Sequence, residues 1–178
     1  MDIYNNKDKY KFDQTPVSLC KDIIKNIDWY DGEVVLEPFA GDNGFYDNLP
    51  GNVIKYRCEI TEGSDFRHFD HDSIKIDTVI SNPPFDLGEN TARKRKNDFF
   101  NIVKFYAEKP EIKRIIFLCS SICFNSLTGK RLEELKRYNM YLTKMVSCKV
   151  RKWYGSYFVV HLERYHNASF DYLLGNYE

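Results

Sequence analysis

With 178 residues, of which 43% are hydrophobic, the chain is the size of one domain and can bury a proper core without disulfide or metal staples. Its 26 basic and 26 acidic side chains cancel, so no global field draws nucleic acid, and such a partner requires a local basic patch or a helper subunit. No apolar run approaches the roughly 20 residues of a membrane span, which excludes an integral helical membrane protein.

Residues 1–13 are rich in Asn, Asp, Lys and Tyr without an apolar period, and read as a partly ordered arm rather than a secretory leader. Thr15 then stands as an N-cap candidate before Pro16. Val17, Cys20, Ile23, Ile24 and Ile27 follow at helical spacing, which predicts a helix over about 16–27. A first strand is expected over 33–37. It leads into Pro38-Phe39-Ala40-Gly41-Asp42-Asn43-Gly44, a turn whose small residues let backbone amides approach a ligand, with a short helix near 44–48. A plain strand-to-helix turn accounts for the same letters.

Residues 53–59 alternate as a second strand ending in Glu59, roughly where nucleotide-binding α/β folds place a carboxylate for ribose hydroxyls. A third strand, 76–80, is β-branched and ends in Ser81-Asn82-Pro83-Pro84-Phe85. The two prolines fix φ and remove two donors, so an Asn amide oxygen, a fixed carbonyl and an aromatic face converge on one small volume. That volume suits a flat, NH2-bearing group. A proline turn with a core Phe remains the competing explanation.

Residues 86–97, with Arg93, Lys94, Arg95 and Lys96, read as a mobile basic loop or as a solvated charge run. A helix is expected from Asp98 to about 107, a strand over 112–119, a polar loop over 120–130 and a helix over 131–138. Strands over 141–148 and 157–162 follow, joined by a basic aromatic hairpin holding Lys149, Arg151, Lys152, Trp153 and Tyr154. The five cysteines, Cys20, Cys58, Cys119, Cys123 and Cys148, are odd in number and form no CxxC pair with partner histidines. They read as reduced core thiols of a cytoplasmic protein. Right-handed crossovers would bring Glu37, Glu59 and Asn82 to one edge of the sheet.

In this order the motifs resemble those of the S-adenosylmethionine-dependent amino-methyltransferases, specifically the adenine-methylating enzymes with an (N/D)PP(Y/F) motif. Asn82-Pro83-Pro84-Phe85 matches the catalytic motif, and Glu37-Pro38-Phe39-Ala40-Gly41 is similar to the first cofactor motif. Cys58-Glu59 resembles the ribose-binding strand end, Ser64-Asp65-Phe66 the adenine-contacting motif, and Asp13-Gln14-Thr15-Pro16 the segment at the cofactor's methionine end. The loop departs from the pattern at Asn43, where a second glycine is common; Asn tolerates positive φ. The gap from Glu59 to Asp65 is also short.

The resemblance implies an α/β fold: a single Rossmann-like class I methyltransferase domain over 1–178. It would carry a mostly parallel seven-stranded sheet, a C-terminal antiparallel hairpin and helices on both faces. It leaves no room for a separate target-recognition domain. It implies S-adenosylmethionine as cofactor, held by Thr15, Pro16, Glu37, Pro38, Phe39, Gly41, Glu59, Asp65, Phe66 and Asn82, and no metal. Asn82, Pro83, Pro84 and Phe85 would form the catalytic turn. The amine acceptor would be adenine N6 in DNA or RNA, with Arg93 to Lys96, Lys152, Trp153 and Tyr154 as contacts and with room for a second subunit that supplies target recognition. A protein glutamine amide makes the same demands on the pocket. A weak or inactive cofactor-binding subunit of a heteromer stands beside both.

Overall fold

The computed structural model describes residues 14–84, 92–151, 153 and 155–164, with the side chains of 92–96 excepted. The arm 1–13, Phe85, the first part of the basic segment, Lys152 and Tyr154 therefore lie outside the described residues. The chain forms two compact units, Met1–Pro84 and Phe85–Glu178.

The first unit opens with α1, Val17–Lys25. Cys20, Ile23, Ile24 and, just past its end, Ile27 are buried at i, i+3, i+4, i+7 spacing, whereas Val17 is 52% exposed and falls outside the stripe. The cap of α1 is Pro16, not Thr15, and no side chain bonds to its free amides. Three short parallel strands follow: β1, Val34–Glu37, β2, Ile54–Arg57, and β3, Thr78–Ser81. β1 lies between the other two, with Glu37 level with Arg57 and Leu36 level with both Tyr56 and Val79. All three run the same way, so Glu37, Glu59 and Asn82 sit at one edge, as the crossover rule requires.

The crossovers in this unit are brief. Three 3-10 turns, Tyr46–Asn48, Ile60–Glu62 and Phe66–His68, stand where longer helices are usual, and the first of them replaces the short α-helix expected near 44–48. Below the sheet edge, polar ties fix the strand starts. Thr78 Oγ1 donates to Glu33 Oε1 at 2.5 Å, and the Val34 amide donates to Asp77 Oδ2 at 3.0 Å.

In the second unit, α2 spans Ala92–Ala107 and begins six residues before the expected Asp98. Arg93, Lys94, Arg95 and Lys96 are thus helical rather than part of a loop. Arg and Lys are strong helix formers, and the apolar period that locates a helix in sequence marks only its buried turns. Phe99, Phe100, Ile102, Val103 and Tyr106 form that buried part. β4, Arg114–Ser120, is apolar without a break from Ile115 to Cys119 and pairs antiparallel with β6, Tyr157–Arg164, which also pairs antiparallel with β5, Met140–Cys148. A bulge near Thr143 shifts the β5 register.

The stretch expected to be a polar loop over 120–130 holds a one-turn helix, α3, Ser121–Phe124, and the start of α4, Gly129–Lys136. Ser120 caps α3 by accepting from the Cys123 amide at 3.4 Å. Asn139, at φ 55, then turns the chain from α4 into β5. Six strands occur among the described residues, against the seven implied by the resemblance.

All five cysteines are free; four are buried and Cys148 is half-buried. No helix among the described residues is long and apolar enough to cross a membrane.

Candidate functional site

The first unit gathers polar side chains at the C-terminal ends of β1, β2 and β3. Beyond the strands, the backbone continues to knit β1 to β2: the Cys58 amide donates to the Glu37 carbonyl at 2.9 Å and the Ala40 amide to the Cys58 carbonyl at 3.0 Å. This brings the loop after β1 beneath Glu59. Glu59 Oε2 accepts from the Gly41 amide at 2.6 Å, and Oε1 accepts from the amide and hydroxyl of Thr61. The carboxylate therefore organises the glycine loop and caps the next turn at once.

The loop itself is built on two left-handed residues. Gly41 has φ 50, the left-handed region that favours glycine, and a Cβ there would also displace the end of the Gln14 side chain, whose Oε1 would lie 2.5 Å away. Asn43 has φ 62, the conformation its sequence position demanded of a residue replacing glycine. Its Oδ1 is buried with no hydrogen-bond partner. Gly44 lets the loop pack on α1, because a Cβ there would lie 3.0 Å from Cys20 Sγ.

Glu37 lies under this loop, 1% exposed, with Oε2 accepting from the Tyr46 amide at 2.7 Å. Burial pushes its carboxyl up to about 8 from the ordinary 4.5, against the pull of the Tyr46 and Phe45 amides. It shapes the loop from below. Pro38 is buried, and half-buried Phe39 packs on Phe66 with ring centroids 4.8 Å apart. Phe66 is itself buried, and the Arg67 guanidinium lies over its ring, 5.9 Å from the centroid.

Asp65, 5% exposed, accepts from the Arg67 amide and pairs with the Arg67 guanidinium through both oxygens. That side-chain hydrogen bonding holds its carboxyl below the usual carboxylate range, although burial pulls the other way. The short gap from Glu59 is spanned by the Ile60–Glu62 turn and by Gly63 at φ 84.

Asn82 follows β3 directly. Its Nδ2 donates to Thr15 Oγ1 at 3.1 Å across 67 positions of sequence, and its Oδ1 is buried with no hydrogen-bond partner. Ser81 Oγ donates to the Phe39 carbonyl at 3.3 Å and joins this turn to the loop after β1. Pro83 is buried and Pro84 half-buried. An orphaned acceptor at a rigid turn is costly unless something else completes it.

Thr15, Gly41, Glu59 and Asn82 are thus brought to one edge, with Glu37 beneath. Pro16 caps α1 beside Thr15. Of the other predicted contacts, Trp153 belongs to the second unit, where it packs on Tyr157 with centroids 4.7 Å apart. Sequence reasoning included Gln14 in the segment at the methionine end without giving it a contact, and it passed over Arg67. Gln14 Oε1 accepts from the Asp42 amide at 3.2 Å, and a polar residue beside a motif carries no periodic signal that would single it out.

No protein-family model matches the chain. No curated protein matches it in sequence. Solved structures do match in fold. A protein assigned as a class I S-adenosylmethionine-dependent methyltransferase from Listeria monocytogenes aligns over 93% of this chain and 65% of its own, at 15% identity and a TM-score of 0.59. A modification subunit assigned to a type I restriction enzyme from Vibrio vulnificus aligns over 85% of this chain at 15% identity and a TM-score of 0.57; this chain spans 44% of its length. An rRNA methylase from Streptococcus thermophilus aligns over 85% of this chain and 97% of its own, at 12% identity and a TM-score of 0.54. The chain has the fold of these methyltransferases.

Proposed function

We propose that a chain with this fold and this strand edge binds S-adenosylmethionine and transfers its methyl group to the exocyclic N6 amine of adenine in DNA or RNA. The observation that carries the reading is Asn82: one arm of its amide is tied to Thr15, and the other is a buried acceptor without a partner. An acceptor fixed at a Pro-Pro turn answers to a planar NH2 group.

The first unit fits the cofactor. The left-handed Gly41 and Asn43 open a loop whose Asn43 Oδ1 lacks a partner, and Glu59 holds that loop with a carboxylate suited to hydroxyls. Thr15 and Pro16 would serve the methionine end, Gly41 the loop contact, Glu59 the ribose, and Asp65 with Phe66 the adenine. Glu37 and Phe39 support these from behind. When bound, the cofactor supplies an activated methyl on a neutral leaving group.

The protein's task is positioning. Adenine's amine is a weak nucleophile because its lone pair is delocalised into the ring. Asn82 Oδ1 and the Pro83 carbonyl, each accepting one N–H, would draw the nitrogen toward tetrahedral geometry and free the lone pair. Phe85 would stack on the base for about 1 to 3 kcal/mol. The base must be flipped out of a duplex or already single-stranded. Arg93 to Lys96, Lys152, Trp153 and Tyr154 are the proposed nucleic-acid contacts.

Incubation with methyl-labelled cofactor and single-stranded DNA or RNA, followed by nucleoside digestion, tests this directly. Label in N6-methyladenine that disappears with Asn82→Ala is the expected result. Label in a protein glutamine instead would move the same pocket to an amide substrate.

A second reading, a cofactor-binding subunit of a heteromeric methyltransferase, draws on the carboxylates. Glu59 and Asp65 already spend their oxygens on Gly41, Thr61 and Arg67. The modification-subunit fold match accords with it. Under this reading, transfer appears only when a partner supplying target recognition is added.

A further inference from the structure

We propose that Thr15 is a positioning residue: its hydroxyl oxygen fixes the Asn82 amide so that Nδ2 is spent on Thr15 and Oδ1 is left for the acceptor amine. The inference deepens the function proposed above and rests on it for the identity of that amine.

An Asn amide offers oxygen on one side and two N–H groups on the other, and a half-turn exchanges them. Facing an NH2 group, only the oxygen makes a bond; the flipped amide would set donors against donors. Asn82 therefore needs something that distinguishes its two ends. Among the described residues the hydrogen-bond partner of the amide is Thr15 Oγ1, 3.1 Å from Nδ2, while Oδ1 has no partner.

A hydroxyl has one hydrogen and two lone pairs, so it can accept from Nδ2 or donate to a flipped Oδ1. It loses the second option once its hydrogen is committed elsewhere. Among the described residues no acceptor takes that hydrogen, and Thr15 lies next to Gln14, whose Oε1 accepts from the Asp42 amide of the glycine loop at 3.2 Å. An anionic acceptor at the methionine end would take the hydrogen and leave only lone pairs facing Asn82. Cofactor binding and acceptor orientation are then coupled through one hydroxyl. The Thr15 cap expected from sequence fails for the same reason: the side chain turns to Asn82 instead of to the amides of α1.

Thr15→Val keeps the shape and removes the acceptor, and Thr15→Ser keeps the hydroxyl. The first measurement is the side-chain NH2 signal of Asn82 in 15N-labelled protein, assigned by its loss in Asn82→Ala. Without cofactor, Thr15→Val is expected to shift that pair and speed its solvent exchange about tenfold, with Thr15→Ser close to wild type. An unchanged pair in Thr15→Val, or the same change in Thr15→Ser, overturns the proposal.

The second measurement is kinetic. In Thr15→Val, kcat is expected to fall about tenfold, the equivalent of roughly 1.4 kcal/mol or one hydrogen bond, with KM for the acceptor within about twofold and the loss rescued in Thr15→Ser. Equal loss in both variants assigns Thr15 to packing and contradicts the proposal. Absence of transfer by wild type, with the Asn82 signal still responding to Thr15→Val, overturns the methyltransferase reading and leaves the positioning role standing.

Discussion

Arg164 and Asn82 are both half-buried polar side chains at strand ends, one in each unit, and they are completed in opposite ways. Arg164 closes β6, where its guanidinium donates to the carbonyls of Ala107, Lys109, Ile112 and Tyr138. It gathers the end of α2, the start of β4 and the end of α4 into one knot. Asn82 closes β3 with one arm tied and the other open. A saturated polar group is architecture, whereas one held rigid with an acceptor to spare is positioned for something that arrives later.

The contrast predicts opposite phenotypes. Asn82→Ala is expected to lower methyl transfer by a factor on the order of 100 to 1,000, as for other lost transition-state contacts, while thermal stability changes by less than about 1 kcal/mol, since the amide is held by its hydrogen bond to Thr15. Arg164→Ala is expected to do the reverse. Stranding several carbonyls costs about 3 kcal/mol, read by denaturant unfolding, with activity per folded molecule kept. Equal stability losses in the two variants would dissolve the distinction.

Glu37 sharpens the comparison through pH. Its folded pKa of about 8 lies above the ordinary 4.5, so the folded chain binds a proton that the unfolded chain has released. The group's stabilisation is complete below pH 4.5 and is lost as pH rises toward 8. Glu37→Gln keeps an acceptor for the Tyr46 amide and has no proton to lose. Its unfolding free energy should fall less steeply over that window, leaving it more stable than wild type at pH 8 by about 1 kcal/mol or more. Parallel curves for the two proteins would show that Glu37 is not proton-linked.

Asn43→Gly is the smallest change. At φ 62 glycine is at ease, so the strain term and the lost side chain nearly cancel. Stability is expected to stay within about 0.5 kcal/mol. Any effect on cofactor affinity then reports the orphaned Oδ1 alone.

β1 and β3 were legible as short β-branched runs stopped by proline, and β2 as an alternating run that ends in a carboxylate. Asn43 was legible because the loop needed positive φ, and Asn supplies it. The sequence pattern failed where structure is held by single polar contacts. The first turns of α2 carry Arg93 to Lys96 and no apolar period, and α3 is one turn set by a Ser120 cap inside letters that suit a loop. Thr15 read as a helix cap because Thr-Pro is a strong local signal, yet a partner 67 positions away claimed its hydroxyl.

The most direct test of the account is a calorimetric titration of the whole chain with S-adenosylmethionine, in wild type and in Glu59→Gln. Saturable one-to-one binding, weakened at least about tenfold in the variant, is the predicted result, since Glu59 both holds the Gly41 loop and faces the proposed ribose position. No heat of binding in wild type, or identical affinities in both proteins, would contradict it.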